Sequence, residues 1–184
     1  MKLIFSILAV ILSIIGIIPY IKDIVKGNTQ PHLYTWLIWS ITEATATAGL
    51  WLGGAGIGAW SLTIGTMLEL CIAFLCLKYG TKNITRSDKV ILFLLLISIL
   101  IWWIMGNPFV SLIMVTAIDA IGFFPTFRKT FEEPWSETVS MWGIYIIANI
   151  FSILALESYN FMTMIYLTVI TIADLIIISR NLVN

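Results

Sequence analysis

Residues 16–36 read GIIPYIKDIVKGNTQPHLYTW, and residues 122–142 read GFFPTFRKTFEEPWSETVSMW. The two stretches have the same length and the same landmarks. Gly16 and Gly122, Pro19 and Pro125, Lys22 and Arg128, and Trp36 and Trp142 each fall at one constant offset of 106 residues, with no gap. The register runs on through Ile38 with Ile144 and Leu50 with Leu156; after a slip of one residue it pairs Thr66 with Thr171 and Glu69 with Asp174. An internal repeat decides architecture before any other feature, and this one spans most of each half.

The chain around the repeat is 60% hydrophobic and 11% charged, with a mean hydropathy of +1.01. Soluble domains are about 45–50% apolar and about 25% charged, so an all-α integral membrane protein is predicted. Seven apolar runs, about 2–20, 33–53, 58–78, 90–105, 108–126, 138–156 and 160–179, can each cross the bilayer as a helix. If they alternate, nine of the ten basic residues fall on one side and only Lys2 on the other. The positive-inside bias then places the N-terminus outside and the C-terminus in the cytoplasm of a multi-pass cell-membrane protein. The opening run leads directly into the repeated motif and shows no small-residue cleavage pattern, so it reads as a first span rather than a signal peptide. The net charge of zero, with no dense basic cluster, argues against a nucleic-acid partner. Cys71 and Cys76 lie on different faces of one helix and read as small packing residues.

The first three runs correspond to the last three, and the fourth, VILFLLLISILIWWIM, has no counterpart. Three is odd, so the extra crossing restores the second triplet to a parallel orientation. The predicted fold is seven transmembrane helices in a 3+1+3 arrangement of two parallel three-helix bundles, 1–80 and 107–184, joined by a linker helix at 81–106.

This plan, with an outside N-terminus and a proline at the cytoplasmic end of the first helix of each triplet, resembles the SWEET and PQ-loop superfamily of membrane transporters. The second half, MWGIYIIANIFSILALESYNFMTMIYL, is also similar to the nicotinamide riboside uptake family, with its Trp-then-Asn pattern on the sixth helix. Pro19-Tyr20 and Pro125-Thr126 stand where the PQ-loop signature has Pro-Gln. The resemblance implies small-solute transport through a central path, with Pro19 and Pro125 supporting its opening and closing.

Four acidic residues, Glu43, Glu69, Asp119 and Asp174, lie inside the predicted spans, and no lysine or arginine lies well inside one. An acidic residue such as Asp costs roughly 2.5–3.5 kcal/mol at a helix centre, so these side chains should face a cavity rather than lipid. Such carboxylates either hold a proton or attract a cation. Helical spacing puts Trp36, Ser40, Glu43 and Thr47 on one face, and Trp142, Tyr145, Asn149 and Ser152 on its counterpart. Thr66 precedes Glu69 as Thr171 precedes Asp174, while Asp119 matches only Ser13. The scaffold is symmetric and the chemistry is not, as an asymmetric solute requires. Asn149, Thr66 and Thr171 are equally explained as hydrogen-bonding glue between helices.

Trp51, Trp60, Trp102, Trp103 and Trp135 fall at span boundaries, where tryptophan belts occur in any membrane protein. Trp36, Trp39 and Trp142 are the candidates for ligand contact, through stacking or cation–π attraction. A proline at the end of a span either stops the helix or bends it, and the matched positions of Pro19 and Pro125 favour a paired gate. His32 lies at the cytoplasmic boundary without partners for a metal, and GGAGIG reads as a tight outer turn.

The leading expectation is therefore a small-solute transporter working by alternating access. Glu43, Glu69, Asn149 and Asp174 are its polar lining, with Asp119, Thr66 and Thr171 beside them, and Trp36 and Trp142 border the site. Its partners are the lipid bilayer and a polar, cationic or proton-bearing metabolite; passive facilitation and proton coupling both stay open. No cofactor or metal is expected, and the spans offer no nucleophile and base pair for an enzyme. One chain can enclose the path, so the transport unit is expected to be a monomer. The alternative is a seven-helix receptor or scaffold, for which the acidic loop residues Glu132, Glu133 and Glu137 speak.

Overall fold

A computed structural model describes residues 1–28, 31–80, 86–105, 107–123, 127 and 139–182, and its elements are all helical. They are α1 (Lys2–Lys26), α2 (Leu33–Leu52), a single 3-10 turn (Gly56–Ala59), α3 (Trp60–Tyr79), α4 (Arg86–Met105), α5 (Pro108–Gly122), α6 (Val139–Ala155) and α7 (Phe161–Leu182). Pro125, Arg128, Trp135 and the three loop glutamates lie outside the described residues, as do the side chains of Trp102 and Trp103.

Three stretches, Lys2–Lys26, Gly56–Tyr79 and Phe161–Ser179, are long and apolar enough to cross a membrane. The apolar parts of α4, α5 and α6 are shorter. The 20 residues of α2 suffice for a crossing, but its composition is diluted by Ser40, Thr42, Glu43 and Thr47. Hydropathy counts these polar residues without seeing that Ser40, Thr42 and Thr47 are buried. The outer surface is apolar instead: Ile4, Ile7 and Ile11 on α1, Phe74 and Leu77 on α3, and Ile172 and Leu175 on α7 are all exposed. Such a distribution suits a solvent of lipid tails, because soluble monomers rarely expose large continuous apolar patches.

Backbone contacts arrange six helices as a closed ring in the order α1, α3, α2, α5, α7, α6 and back to α1, with α4 outside it against α2 and α5. Exchanging α1, α2 and α3 with α5, α6 and α7 maps this ring onto itself. The α1–α6 contact maps onto α5–α2, α2–α3 onto α6–α7, and α1–α3 onto α5–α7. Within each triplet the third helix separates the backbones of the first two.

Local signals set the helix ends. Pro19 does not stop α1, which continues to Lys26 and ends where Gly27 takes φ 75°, a left-handed conformation that glycine adopts without steric cost. The Gly27 N–H bonds the Asp23 and Ile24 carbonyls. His32 caps the start of α2, its Nδ1 accepting from the Thr35 N–H at 3.4 Å. Asn107 caps α5, accepting from the Phe109 N–H at 3.1 Å, with Pro108 in the first helical turn where its missing donor costs nothing.

Candidate functional site

The six-helix ring surrounds a cavity lined from every one of its helices and, among the described residues, not from α4. The centre of a water-sized sphere can move through about 70 Å³ of it, which is room for several waters or a small solute. The lining follows the repeat. Ser13 and Asp119, Trp36 and Trp142, Trp39 and Tyr145, and Glu43 and Asn149 are mates at the first offset; Ser61 and Tyr166, Gly65 and Ile170, and Glu69 and Asp174 are mates at the second. Both members of each pair face the same space.

Equivalent positions differ in chemistry. Ser13 Oγ and Ser61 Oγ lie 2.9 Å apart, joining α1 to α3. Their mates Asp119 and Tyr166 both line the cavity. Asp119 Oδ1 accepts from the Thr42 hydroxyl at 2.5 Å, so its carboxyl group ties α5 to α2 across the two triplets. The first half keeps this node small and neutral, and the second makes it large and acidic.

Glu43 on α2 reaches across to Gly65 on α3, one turn before Glu69, and both carboxyl groups line the cavity. Carboxyl groups that share a buried space need a proton or a cation to offset their repulsion. Gly65 makes the approach possible, because a Cβ there would collide with the Glu43 carboxyl group. Asp119 and Asp174 complete a set of four acidic side chains, and among the described residues the lining contains no lysine, arginine or histidine. Buried polar atoms without partners include Glu69 Oε2 and the indole nitrogens of Trp39 and Trp142.

At the end of the ring away from the N-terminus, the cavity is floored by aromatic rings. Tyr20 and Trp36 have centroids 5.1 Å apart, Trp36 and Trp39 5.4 Å, Trp39 and Phe123 5.2 Å, and Phe123 and Trp142 6.0 Å. The Trp36 Nε1 donates to the Tyr20 hydroxyl at 3.3 Å. The rings come from α1, α2, α6 and the end of α5, so they close the space only while both triplets stay together.

Glu43, Glu69, Asn149, Asp174, Trp36, Trp142 and Asp119 all line the cavity. Thr66 and Thr171 do not; their hydroxyls turn back to the carbonyls of Leu62 at 2.9 Å and Leu167 at 2.6 Å in their own helices. Tyr166, Ser61 and Gly65 line the space and were missed in the sequence; the offset of 105, which makes Ser61 the mate of Tyr166 and Gly65 the mate of Ile170, is the signal that relates them to it. Among the described residues no group of three or more His, Cys, Asp and Glu has the geometry to hold a metal ion. Comparison with protein-family models, with curated proteins and with solved structures found no match.

Proposed function

We propose that the protein is a seven-span carrier of a small cationic solute, built as two parallel three-helix bundles and a linker helix in the manner of the SWEET-like transporters it resembles. The observation that carries this reading is the cavity: four carboxyl groups, no basic side chain among the described residues and a floor of tryptophans, lined jointly by both triplets. Carboxylates inside a membrane span are costly unless they serve a path for ions or substrates. Aromatic faces beside them add attraction for a desolvated cation. The repeat gives the mechanism its shape. Two similar triplets that meet at two equivalent interfaces can rock about the cavity and present it to each side in turn, with Pro19 and Pro125 near the cytoplasmic gate.

Thermal unfolding of the purified protein with cationic vitamins, amino acids and sugars across pH tests the binding step. A ligand confined to the folded state adds roughly 2.7 kcal/mol at about 100 times its dissociation constant, a readily measured shift. Stabilisation by cations and not by neutral sugars, weakened in Glu69→Gln and Asp174→Asn, is the expected result. No stabilisation by any compound, with both variants as stable as the parent, would turn the acidic lining into scaffolding and favour the receptor or scaffold reading.

A further inference from the structure

The end of the ring nearest the N-terminus is shut by two turns that interlock across the triplets. One, at 53–59, joins α2 to α3, and the other, at 156–160, joins α6 to α7. The Glu157 N–H donates to the Ala55 carbonyl at 3.0 Å, and Asn160 Nδ2 donates to the Gly53 carbonyl at 2.7 Å. Glu157 also reaches back, its Oε1 3.5 Å from the Ile57 N–H. Glycine makes the fit possible at two places. Gly56, at φ +57°, leaves the space that the Glu157 carboxyl group fills, and a Cβ on Gly58 would stand 2.8 Å from the Leu156 backbone nitrogen.

Between this seal and the cavity lie buried hydroxyls with no partner, Thr47 Oγ1 and Ser152 Oγ. They stand one turn beyond Glu43 and Asn149 on the same faces of α2 and α6. Unpaired buried hydroxyls are rare because each forfeits its hydrogen bonds to water, and a path that is wetted in another conformation explains them. The seal itself rests on a few hydrogen bonds, each worth about 0.5–1.5 kcal/mol net, which is within reach of a two-state equilibrium.

We propose that the two turns are a gate, that Glu157 is its latch, and that the structure shows the gate closed; the proposal rests on the carrier reading for its purpose but not for its test. Opening separates 53–59 from 156–160 and wets the path past Ser152 and Thr47 to Ser61 at the cavity edge.

The test uses the full chain in oriented vesicles, with Cys71→Ser and Cys76→Ala removing the native thiols and S61C as the reporter. A membrane-impermeant thiol reagent is added on the side of the N-terminus, and modification at position 61 is read by peptide mass spectrometry. E157A, which removes the carboxyl contact with the Ile57 N–H, and G58A, which wedges the turns apart, should each raise the labelling rate about tenfold, the equivalent of about one hydrogen bond. Gly54 Cβ would lie 3.6 Å from Ser158 Cβ, within the disulfide range of about 3.5–4.5 Å; because Gly54 sits at φ +80° and a cysteine there is strained, the reduced G54C/S158C variant is the reference, and its oxidation should suppress labelling that reduction restores. Labelling that is equal in the oxidised and reduced forms, or absent from every variant, overturns the gate. If G58A fails to fold, E157A and the disulfide still decide. A gate that opens in a protein that moves no cation removes the carrier reading alone, and cation flux undiminished by the disulfide removes the gate alone.

Discussion

Gly16 packs directly against the ring of Tyr145: a Cβ at Gly16 would stand 2.7 Å from Tyr145 Cε1. Gly122 meets Trp39 in the same manner, with a Cβ there 3.1 Å from Trp39 Nε1. Gly122 is the repeat mate of Gly16 and Trp39 the mate of Tyr145, so the two interfaces between the triplets are one contact written twice. Gly16→Ala should lower stability by about 1–3 kcal/mol through overpacking, and Gly122→Ala by less, because its approach is looser. Thermal unfolding of the two variants checks the order, and a neutral Gly16→Ala would show that the ring moves away freely.

The Ser13 hydroxyl donates to the Ala9 carbonyl at 3.0 Å, so the proton between Ser13 and Ser61 comes from Ser61. Removing Ser13 leaves the buried Ser61 hydroxyl unsatisfied, whereas removing Ser61 leaves Ser13 bonded to its own helix. Ser13→Ala should therefore cost about 1 kcal/mol, Ser61→Ala less, and the double variant no more than Ser13→Ala. A double-mutant cycle on unfolding measures this, and strictly additive losses would contradict the pairing.

Thr42→Val should destabilise more than either serine variant, by about 1–3 kcal/mol, because it takes a donor from the buried Asp119 carboxyl group while keeping the side-chain shape. The same variant should weaken cation binding, since Thr42 helps to fix the position of that carboxyl group. Ligand titration followed by thermal unfolding reads both effects from one sample. Unchanged stability would mean that the Thr42–Asp119 bond adds nothing net to the fold.

Cation binding should weaken as pH falls, because protons and cations compete for Glu43, Glu69, Asp119 and Asp174. The sign is fixed by charge: protonation neutralises a carboxylate and leaves nothing to offset the cost of desolvating the cation. The shift in unfolding temperature caused by a bound cation should therefore be larger at pH 8 than at pH 5, and a larger shift at pH 5 would count against the acidic lining.

Much of this arrangement is legible in the sequence because charge inside an apolar span has few places to go. Glu43, Glu69, Asp119 and Asp174 are costly in lipid, and all four reach the cavity. The repeat offset carries further than residue type: it couples Ser61 to Tyr166 and Gly65 to Ile170, pairs whose members share no chemistry. Thr66 and Thr171 show where pattern falls short, since helical phase places a side chain near a face but does not decide between the cavity and a carbonyl of its own helix. Pro19 shows the same for backbone. A proline removes one helical bond, and packing of Ile17 and Ile24 in the core on either side of it keeps α1 continuous to Lys26. The seal is hidden most deeply, because GGAGIG reveals a turn and nothing of the partner turn some 100 residues away that fits against it.

Counterflow in liposomes tests the central claim most directly. The purified protein is reconstituted, loaded with the cation that stabilises it best, and given a trace of the labelled compound outside. Uptake that saturates, is stimulated by the internal cation and is lost in Glu69→Gln and Asp174→Asn is the result expected of a carrier with its site between the triplets. A cation that stabilises the protein through these same carboxyl groups yet never crosses the bilayer would contradict it and make the cavity the sensor of a receptor.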